Sequence, residues 1–530
     1  MVRFFNTTGP CQPGDHFMLP PERRLPDVEQ LIRKKRYFVI HAPRQCGKTT
    51  SLQALATRLT AEGRYTVLLT SCEVGQMLQP DVEAAIDSIL AILRQRSEDH
   101  LPPDLRPPAP DPSITARARL SDLLRRWAQV SPRPLAVFFD EIDSLYDDVL
   151  ISVLRQLRTG FSDRPHNFPQ SVVLIGLRDV RDYRILSRLE ADGDLRAHRL
   201  GSSSPFNIKS RSFTLPYFTA EEVAELYRQH TDETGQVWSD SACARAFELT
   251  GGQPWLVNAL AEVVTDELLT DRLQPIEIEA IERAREILIQ RRDTHLDSLI
   301  DRLREPRVRK VVAAIVSGEL LPADVIDDDV EYVKDLGLVT SGPRGLEIAN
   351  PIYREFVPRA LTSILEADLV LPRPSYLGAD GRLDFRRLFG DFKTFWIANA
   401  EEYLARAPYS EAAAQLVFMA FLHKLVNGGE AVVDREYAAG RGRVDLCVRW
   451  PLGSGEMQRF AVELEVWRDG HRADPVADGL DQLAGYLERL GLEEGALIVF
   501  DNRKSAPPLP ERVSEREIEH AGRRMTLLRS

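Results

Sequence analysis

The sequence predicts a multidomain α/β protein, and two observations support this fold class. Apolar, strand-like runs at residues 37–40, 65–69, 135–139 and 171–177 alternate with helical segments. Such alternation is typical of a parallel sheet that is covered by helices. The chain has 530 residues, of which 43% are hydrophobic, and this length and composition suit about three or four globular domains.

The first strand leads directly into a glycine-containing loop, APRQCGKT at residues 42–49. It fits the pattern G-x-x-x-x-G-K-[ST], with Ala42 at the first glycine position, where alanine is compatible with a negative φ. A helix is expected from Thr49 to Leu59, so the loop has the strand–loop–helix context of a phosphate-binding motif. Lys48 would contact the β- and γ-phosphates, Thr49 would ligate Mg²⁺, and backbone N–H groups would bind phosphate oxygens. The loop residues expected to bind a nucleotide are Ala42, Pro43, Arg44, Gln45, Cys46, Gly47, Lys48, Thr49 and Thr50.

The third strand ends in two acidic residues, in the string LAVFFDE at residues 135–141. Asp140 is expected to hold Mg²⁺, usually through water, and Glu141 to orient or deprotonate the attacking water. The loop and the acidic strand end occur in this order about ninety residues apart, which predicts a nucleoside triphosphate site. A purely structural role for Glu141 stays open, in which case the site would bind the nucleotide without hydrolysing it.

Two arginines, Arg178 and Arg181, follow the strand at 171–177. In nucleotide switches, residues at this strand end sense the γ-phosphate, so both arginines are candidates for that role. The alternative is a surface ion pair with Asp179 or Asp182.

A helical region is predicted after the sheet. Thr219 and Glu222 resemble a capping box that opens a helix, and Pro254 begins another helix after the glycines of GGQP. GGQP is either an ordinary helix–helix turn or a helix start that faces the nucleotide from a small helical lid, with Pro254 as a nucleotide contact. The proline-rich residues 1–36 are expected to wrap the same site.

Three helices followed by a strand, a Gly-Pro turn and a second strand suggest a winged helix at residues 279–365. Basic residues gather in this region and could contact phosphates, but acidic residues on the third helix would repel DNA. A role in protein packing is therefore favoured. The basic residues are Arg302, Arg304, Arg307, Arg309 and Lys310, and the acidic ones are Asp327, Asp328, Asp329 and Glu331.

Acidic residues recur near the C-terminus. Asp445 and Glu463 are expected on consecutive strands joined by a GSGE hairpin, so their carboxylates can converge on a divalent metal, Mg²⁺ or Mn²⁺. Metal activation of water for phosphodiester cleavage needs such a pair of carboxylates. Glu436 precedes the pair, and Gln482 and Tyr486 follow it, four residues apart on a helix.

This constellation resembles the PD-(D/E)xK nuclease fold: Asp445, then Glu463-Leu464-Glu465 where the family has E-x-K, then the Q-x-x-x-Y helix. Glu465 replaces a lysine that normally positions the nucleophile, and some active restriction enzymes of this fold use E-x-E. The resemblance implies that Asp445, Glu463 and Glu465 are catalytic, with the first two as metal ligands. The alternative is a retained fold that has lost cleavage and contacts nucleic acid or protein. The sequence does not place Arg468 or Lys504.

Further strings carry a second resemblance. APRQCGKTT, FDEIDSLYDD, SVLRQLRTGF, GLRDVRDYR, SPFNIKS and TGGQPWLVNAL resemble bacterial AAA-like ATPases of the STAND-related kind. REYAAGRGRVDL, GLDQLAGYLERLG and LIVFD resemble the nuclease-like domain that is fused to such ATPases. The implied architecture is a P-loop NTPase core (1–215), a helical lid (216–278), a winged helix (279–365), a linker (366–390) and a C-terminal PD-(D/E)xK-like domain (391–530).

The resemblance implies ATP and Mg²⁺ as cofactors of a switch that controls a nuclease-like effector acting on DNA. A role in defence against mobile DNA follows by analogy alone. The rival hypothesis is a scaffold without catalytic activity, in which ATP is structural and the C-terminal domain recognises nucleic acid or a protein. A protein partner or self-association would use the ATPase and winged-helix domains.

Net charge, cysteine content and the length of apolar runs limit which partners and locations are expected. The net charge of −12 and the pI of about 5.5 argue against a general nucleic-acid binder, so any DNA contact must be a local patch. The five cysteines are scattered without a C-x-x-C pair, which argues against a disulfide framework or a zinc site. The N-terminus lacks a signal pattern, and no apolar run approaches the ~20 residues that span a bilayer. A cytoplasmic protein without membrane association is expected.

Overall fold

The structure is a computed structural model in which the chain forms two compact units. One unit comprises Met1–His295 and Val330–Thr340, and the other comprises Leu296–Asp329 and Ser341–Ser530. The residues that the structure describes are 3–25, 27–78, 81–178, 184–186, 197–199, 208–291, 294–317, 321, 325–342, 345–368, 376, 382–406, 414, 417–419, 421–422, 432–439, 442–452, 456–467, 469, 473–503 and 505–530.

The first unit is built on a five-stranded sheet in the order β2-β3-β4-β1-β7, and every pairing in it is parallel. Its strands, with the separate short pair β5 and β6, are β1 (Tyr37–His41), β2 (Thr66–Ser71), β3 (Leu135–Asp140), β4 (Ser171–Gly176), β5 (Arg184–Leu186), β6 (Ala197–Arg199) and β7 (Lys209–Thr214). The helices are α1 (Val28–Arg33), α2 (Lys48–Ala61), α3 (Val82–His100), α4 (Ala116–Val130), α5 (Asp147–Thr159), α6 (Ala220–Thr234), α7 (Asp240–Thr250), α8 (Pro254–Glu262) and α9 (Ile278–Arg291). Short 3-10 helices lie at Pro21–Arg24, Glu73–Leu78, Pro103–Leu105, Ile142–Ser144 and Phe161–Asp163, and a π-helix lies at Val263–Leu268.

Both faces of this sheet are buried, which explains why its central strands are continuous apolar runs. On one face, α3, α4 and α5 cover side chains such as Phe139, and Trp127 of α4 donates from Nε1 to the Leu105 carbonyl at 2.9 Å. On the other face, α1 and α2 cover side chains such as Phe138. Because all five strands are parallel, their carboxyl ends lie along one edge of the sheet.

The strands and the helix predicted for the sheet region are present, with ends that shift by one or two residues. Helix α2 begins at Lys48, and β3 includes Asp140. The fifth strand, β7, was not predicted. The capping box is present, because the Thr219 hydroxyl accepts from the Glu222 N–H and the Glu222 carboxylate accepts from the Thr219 N–H.

The second unit carries a six-stranded mixed sheet in the order β10-β11-β12-β13-β15-β14. The remaining strands of the chain are β8 (Val339–Gly342), β9 (Gly345–Ile348), β10 (Val432–Ala439), β11 (Gly442–Pro451), β12 (Met457–Trp467), β13 (Glu494–Asp501), β14 (Ser514–His520) and β15 (Arg523–Arg529). The remaining helices are α10 (Thr294–Leu303), α11 (Pro306–Ser317), α12 (Asp327–Asp335), α13 (Pro351–Asp368), α14 (Phe385–Arg406), α15 (Val476–Leu490) and α16 (Leu509–Arg512).

Helix α15 connects the parallel neighbours β12 and β13 and packs against the sheet with Leu480, Leu483 and Leu487. The described residues between 414 and 422 are helical and buried, and Phe418 contacts Phe392 of α14 edge-on at 4.7 Å between ring centroids. No helix among the described residues is long and apolar enough to cross a membrane.

Candidate functional site

The phosphate-loop residues join the carboxyl end of β1 to the first turn of α2. The Lys48 ammonium donates to the carbonyl oxygens of Ala42 at 2.7 Å and Pro43 at 2.8 Å. Gln45 and Gly47 adopt left-handed conformations, with φ of 56° and 77°. The Lys48 side chain thus folds back onto the backbone of the loop. Its positive charge lies at a helix N-terminus, whose N–H groups also favour anions.

Gly47 is required where it stands. A Cβ on this residue would lie 2.9 Å from Nη1 of Arg24, and its φ disfavours other residues. Arg24 is buried and donates from Nη1 to the Cys46 carbonyl at 2.7 Å. The N-terminal segment therefore contacts the loop directly, and Arg24 is a residue that the sequence analysis did not single out.

The expected magnesium ligands are brought together by adjacent elements. The Thr49 hydroxyl donates to Asp140 Oδ2 at 2.7 Å, and the Glu141 N–H donates to Asp140 Oδ1 at 2.9 Å. Burial raises the pKa of Asp140, whereas the hydrogen bond from Thr49 and the charge of Lys48 act in the opposite direction. An all-oxygen donor set of hydroxyl and carboxylate fits the preference of Mg²⁺.

Glu141 lies in a left-handed conformation, with φ of 55°, directly after β3. Its carboxylate accepts a hydrogen bond from the hydroxyl of Ser71, the last residue of β2. Burial raises the pKa of Glu141, and the neighbouring charges of Glu73 and Asp140 act in the same direction. Glu141 is thus a carboxylate with increased proton affinity, held by the neighbouring strand.

These residues line one cavity of about 340 Å³. The loop and β3 contribute Gln45, Gly47, Lys48, Thr49, Thr50 and Glu141, the N-terminal segment contributes Asn6, Thr7, Gly9, Pro10 and Cys11, and α8 contributes Pro254, Trp255 and Asn258. Residues of the N-terminal segment and Pro254 therefore line the same cavity as the phosphate loop.

A second, mainly apolar compartment adjoins the first. Its own lining includes Phe17, Met18, Leu19, Pro21, Arg24, Ser51, Phe218 and Leu226. The two compartments share Cys11, Gly47, Thr50, Pro254 and Asn258. A polar space at the phosphate loop thus continues into an apolar one, which is the layout that a triphosphate joined to a base requires.

Arg178 follows the end of β4. The end of β4 lies next to the start of the phosphate loop, since the Ala42 N–H donates to the Gly176 carbonyl at 3.2 Å. The Nε of Arg178 donates to Asp335 Oδ2 at 2.7 Å, and the two side chains are 5% and 20% exposed. Its guanidinium also lies 5.3 Å from the ring centre of Tyr332. Arg178 is buried, and its partner Asp335 is half-buried and distant in sequence. Arg181 and the expected partners Asp179 and Asp182 lie outside the described residues.

The segment that carries Asp335 also approaches the phosphate loop. Gly337 has a φ of 74°, and a Cβ on it would lie 2.7 Å from the Tyr217 hydroxyl and 2.8 Å from Pro43 Cγ. Residues 330–340 therefore contact both the loop and the arginine at the end of β4.

In the second unit, Asp445 and Glu463 face each other on the antiparallel strands β11 and β12. The Asp445 N–H donates to Glu463 Oε2 at 3.4 Å, and the Leu464 N–H donates to Asp445 Oδ2 at 3.0 Å. Burial and the Asp445 charge raise the pKa of Glu463. Burial, with the charges of Asp445 and Asp478, raises the pKa of Glu465 to about 7. The three carboxylates therefore interact electrostatically.

The other C-terminal candidates are distributed as follows. Gln482 is exposed and Tyr486 half-buried on α15, whose Gly479 would bring a Cβ within 3.2 Å of Glu465 Cγ. Glu436 lies on β10, and its side chain is outside the described residues, as are Arg468 and Lys504. Within the part of the chain that the structure describes, no three Asp, Glu, His or Cys side chains are grouped closely enough to hold a metal.

The parallel five-stranded sheet, the phosphate loop between β1 and α2 and the Thr49–Asp140 contact define an α/β core of the P-loop NTPase type. Among solved structures, the chain is similar to a Walker-type ATPase of Pyrococcus abyssi, with 15% identity over 66% of this chain and 98% of that one and a TM-score of 0.47. It is also similar to the RuvB Holliday junction branch migration motor of Thermotoga maritima, with 16% identity over 62% of this chain and 90% of that one and a TM-score of 0.34. A third is the ORC2 protein of Aeropyrum pernix, with 14% identity over 68% of this chain and 96% of that one and a TM-score of 0.33. No family model and no curated protein matches the chain.

Proposed function

We propose that this chain binds ATP with Mg²⁺ and hydrolyses it, and that its nucleotide state controls a C-terminal nuclease-like domain that acts on DNA. The observation that carries the ATP part is the single cavity lined by Lys48, Thr49 and Glu141, with Asp140 hydrogen-bonded to Thr49 at its edge. These are the groups that phosphate binding, metal binding and water activation need.

Each residue has a chemical role in this proposal. Backbone N–H groups of the loop and of the first turn of α2 would bind phosphate oxygens. Lys48 would exchange the carbonyl oxygens of Ala42 and Pro43 for the β- and γ-phosphates. Thr49 and Asp140 would hold Mg²⁺, which when bound neutralises the negative charge of these phosphates. The adjoining apolar compartment would take the base.

Glu141 would accept a proton from the attacking water. We expect Glu141→Gln to retain ATP binding but to lower the rate of phosphate release by at least about 100-fold, because the amide cannot accept that proton. Asp148→Asn, on the exposed face of α5, is the matched control and should hydrolyse ATP at the wild-type rate. Undiminished turnover by Glu141→Gln would show that another group activates the water.

The ion pair between the buried Arg178 and the half-buried Asp335 supports a nucleotide-dependent switch. Arg178 lies at the end of the strand next to β1, so it can exchange Asp335 for a γ-phosphate, and residues 330–340 would then lose a charged contact. The predicted lid (216–278), which contains α6, α7 and α8, and the predicted winged helix (279–365) are the elements that this exchange would reposition.

Asp335→Asn tests this exchange. We expect it to lower the free energy of unfolding without nucleotide by about 1–3 kcal/mol, because Arg178 stays buried without its anion. We also expect tighter ATP binding, since the γ-phosphate no longer competes with Asp335. Glu331→Gln, which removes an exposed partner of Lys334, is the control for both calorimetric measurements. Lower stability with unchanged ATP affinity would make the pair structural only.

The C-terminal part of the proposal is supported by the facing carboxylates of Asp445 and Glu463 and by Glu465 two residues on. In an active nuclease they would bind Mg²⁺ or Mn²⁺ and activate water. DNA would be the partner of this domain, and self-association or a protein partner would use the ATPase and winged-helix domains.

The second candidate function is an ATP-bound scaffold whose C-terminal domain recognises a partner without cleaving it. Glu465 in place of the lysine of the nuclease pattern favours it. Very slow turnover by purified protein that retains ADP tightly would select this alternative.

A further inference from the structure

Helix α8 places one polar side chain where the two compartments of the nucleotide cavity meet. Asn258 lines both compartments and is only 7% exposed. It lies one turn after Pro254, so both residues present the same helix face to the cavity. Its surroundings in the apolar compartment are side chains such as Phe17, Phe218 and Leu226.

The orientation of the Asn258 amide is fixed by chemistry. Its Nδ2 donates to the Pro254 carbonyl at 2.8 Å, and a carbonyl can only accept. The opposite orientation would place two oxygens together, so Oδ1 is the atom left for another partner. Among the described residues, no donor reaches this buried Oδ1. A buried acceptor without a donor costs free energy, which a bound ligand can recover.

We infer that Asn258 is a base-reading residue whose Oδ1 accepts a hydrogen bond from the exocyclic amino group of adenine. This inference rests on the proposed ATP function and adds a determinant of base specificity to it. The apolar side chains around Asn258 suit the faces of a purine, and the shared lining with Lys48 and Thr49 places the triphosphate in the adjoining polar compartment.

The remaining polar atoms favour adenine over guanine. Adenine presents one donor, its amino group, beside one acceptor, N1. Two residues that line the apolar compartment each have one buried side-chain atom without a partner among the described residues, the acceptor Oδ1 of Asn258 and the donor Nε of Arg24. Guanine presents two adjacent donors, and the described lining of this compartment contains no carboxylate to accept both.

The test compares nucleotides that differ only at the base. The dissociation constants of ATP, GTP and purine riboside 5′-triphosphate, which lacks the 6-amino group, are measured by calorimetry with wild-type protein and Mg²⁺. We expect ATP to bind at least about tenfold more tightly than the other two, because a site built around an amino group loses that hydrogen bond with the analogue.

Asn258→Leu should bind ATP and purine riboside triphosphate with equal affinity. Leu226→Ala is the matched control in the same compartment: it should weaken both nucleotides but keep their ratio, since it removes apolar contact alone. A preference for ATP that persists in Asn258→Leu would overturn the assignment of Asn258. Equal affinities in wild type, or tighter GTP binding, would overturn adenine reading while leaving a nucleotide site.

Failure of the proposed function would have a separate signature, because wild-type protein would then bind none of the three nucleotides. The comparison of ATP with purine riboside triphosphate needs no variant. It therefore decides the inference even where Asn258→Leu does not fold.

Discussion

Lys48→Ala is expected to abolish measurable ATP binding. The ammonium already lies at the phosphate loop, where it donates to the Ala42 and Pro43 carbonyls, so its charge needs little reorganisation to meet the phosphates. A charged hydrogen bond to phosphate contributes roughly 1.5–3 kcal/mol, and Lys48 can make more than one, so an affinity loss above about 100-fold follows. The measurement is a titration of ATP into purified protein by calorimetry.

Lys34→Ala provides the control for this loss. Lys34 is exposed and precedes β1, at the opposite end of the strand from the phosphate loop. Its removal changes the net charge by the same amount, so it separates a local effect of Lys48 from a general electrostatic one. Unchanged affinity in Lys48→Ala would refute the assignment of the nucleotide site, because Lys48 is the side chain assigned to the β- and γ-phosphates.

The proposed nucleotide site was predictable from sequence to the extent that its parts are local. The residues from Ala42 to Thr50 are contiguous, and Asp140 directly follows the hydrophobic run that marks β3 in the sequence. Their meeting followed from the parallel sheet, since Thr49 and Asp140 lie at the same edge. The motifs assigned both residues to one magnesium site, and the parallel sheet brings them into contact.

Other parts depend on contacts that no local pattern encodes. Arg24 reaches the loop from a 3-10 helix in a proline-rich segment, and Asp335 meets Arg178 across 157 positions in sequence. Strand β7 escaped prediction because its sequence KSRSFT is polar, and as an edge strand it pairs with β1 alone in its sheet. Asn258 carried no signal, because a single asparagine on an apolar helix shows neither its burial nor its unpaired oxygen.

At the C-terminal carboxylates, the fold adds more to what the sequence predicted than it does at the proposed ATP site. Sequence placed Asp445 and Glu463 on consecutive strands, and the antiparallel pairing of β11 with β12 brings them face to face. The fold adds the raised pKa of Glu463 and the pKa of about 7 for Glu465, both of which have burial as their largest cause and the Asp445 charge next. Buried carboxylates that repel one another become more stable with a cation between them, and protons and divalent metals compete for that position.

Asp445→Ala and Glu463→Ala are therefore expected to abolish plasmid nicking that depends on Mg²⁺ or Mn²⁺, while ATP turnover stays at the wild-type rate. Each variant removes one of two facing carboxylates, and a metal held by the remaining one would lose its position relative to the phosphodiester. Glu488→Gln, an exposed residue of α15, should cleave like wild type. The assay follows supercoiled plasmid with each metal, with and without ATP.

The outcomes separate the two candidate functions. In the nuclease, Glu465 replaces the usual lysine and cleavage is kept, whereas in the scaffold this replacement accompanies the loss of cleavage. Cleavage by wild type that both variants lose would mean that a third carboxylate replaces the usual lysine, and a dependence on ATP would link it to the Arg178–Asp335 exchange. Equal nicking by wild type and variants would come from a contaminant or another site. Absence of cleavage by wild type with either metal, with and without ATP, would favour the scaffold, in which ATP holds a recognition domain in place.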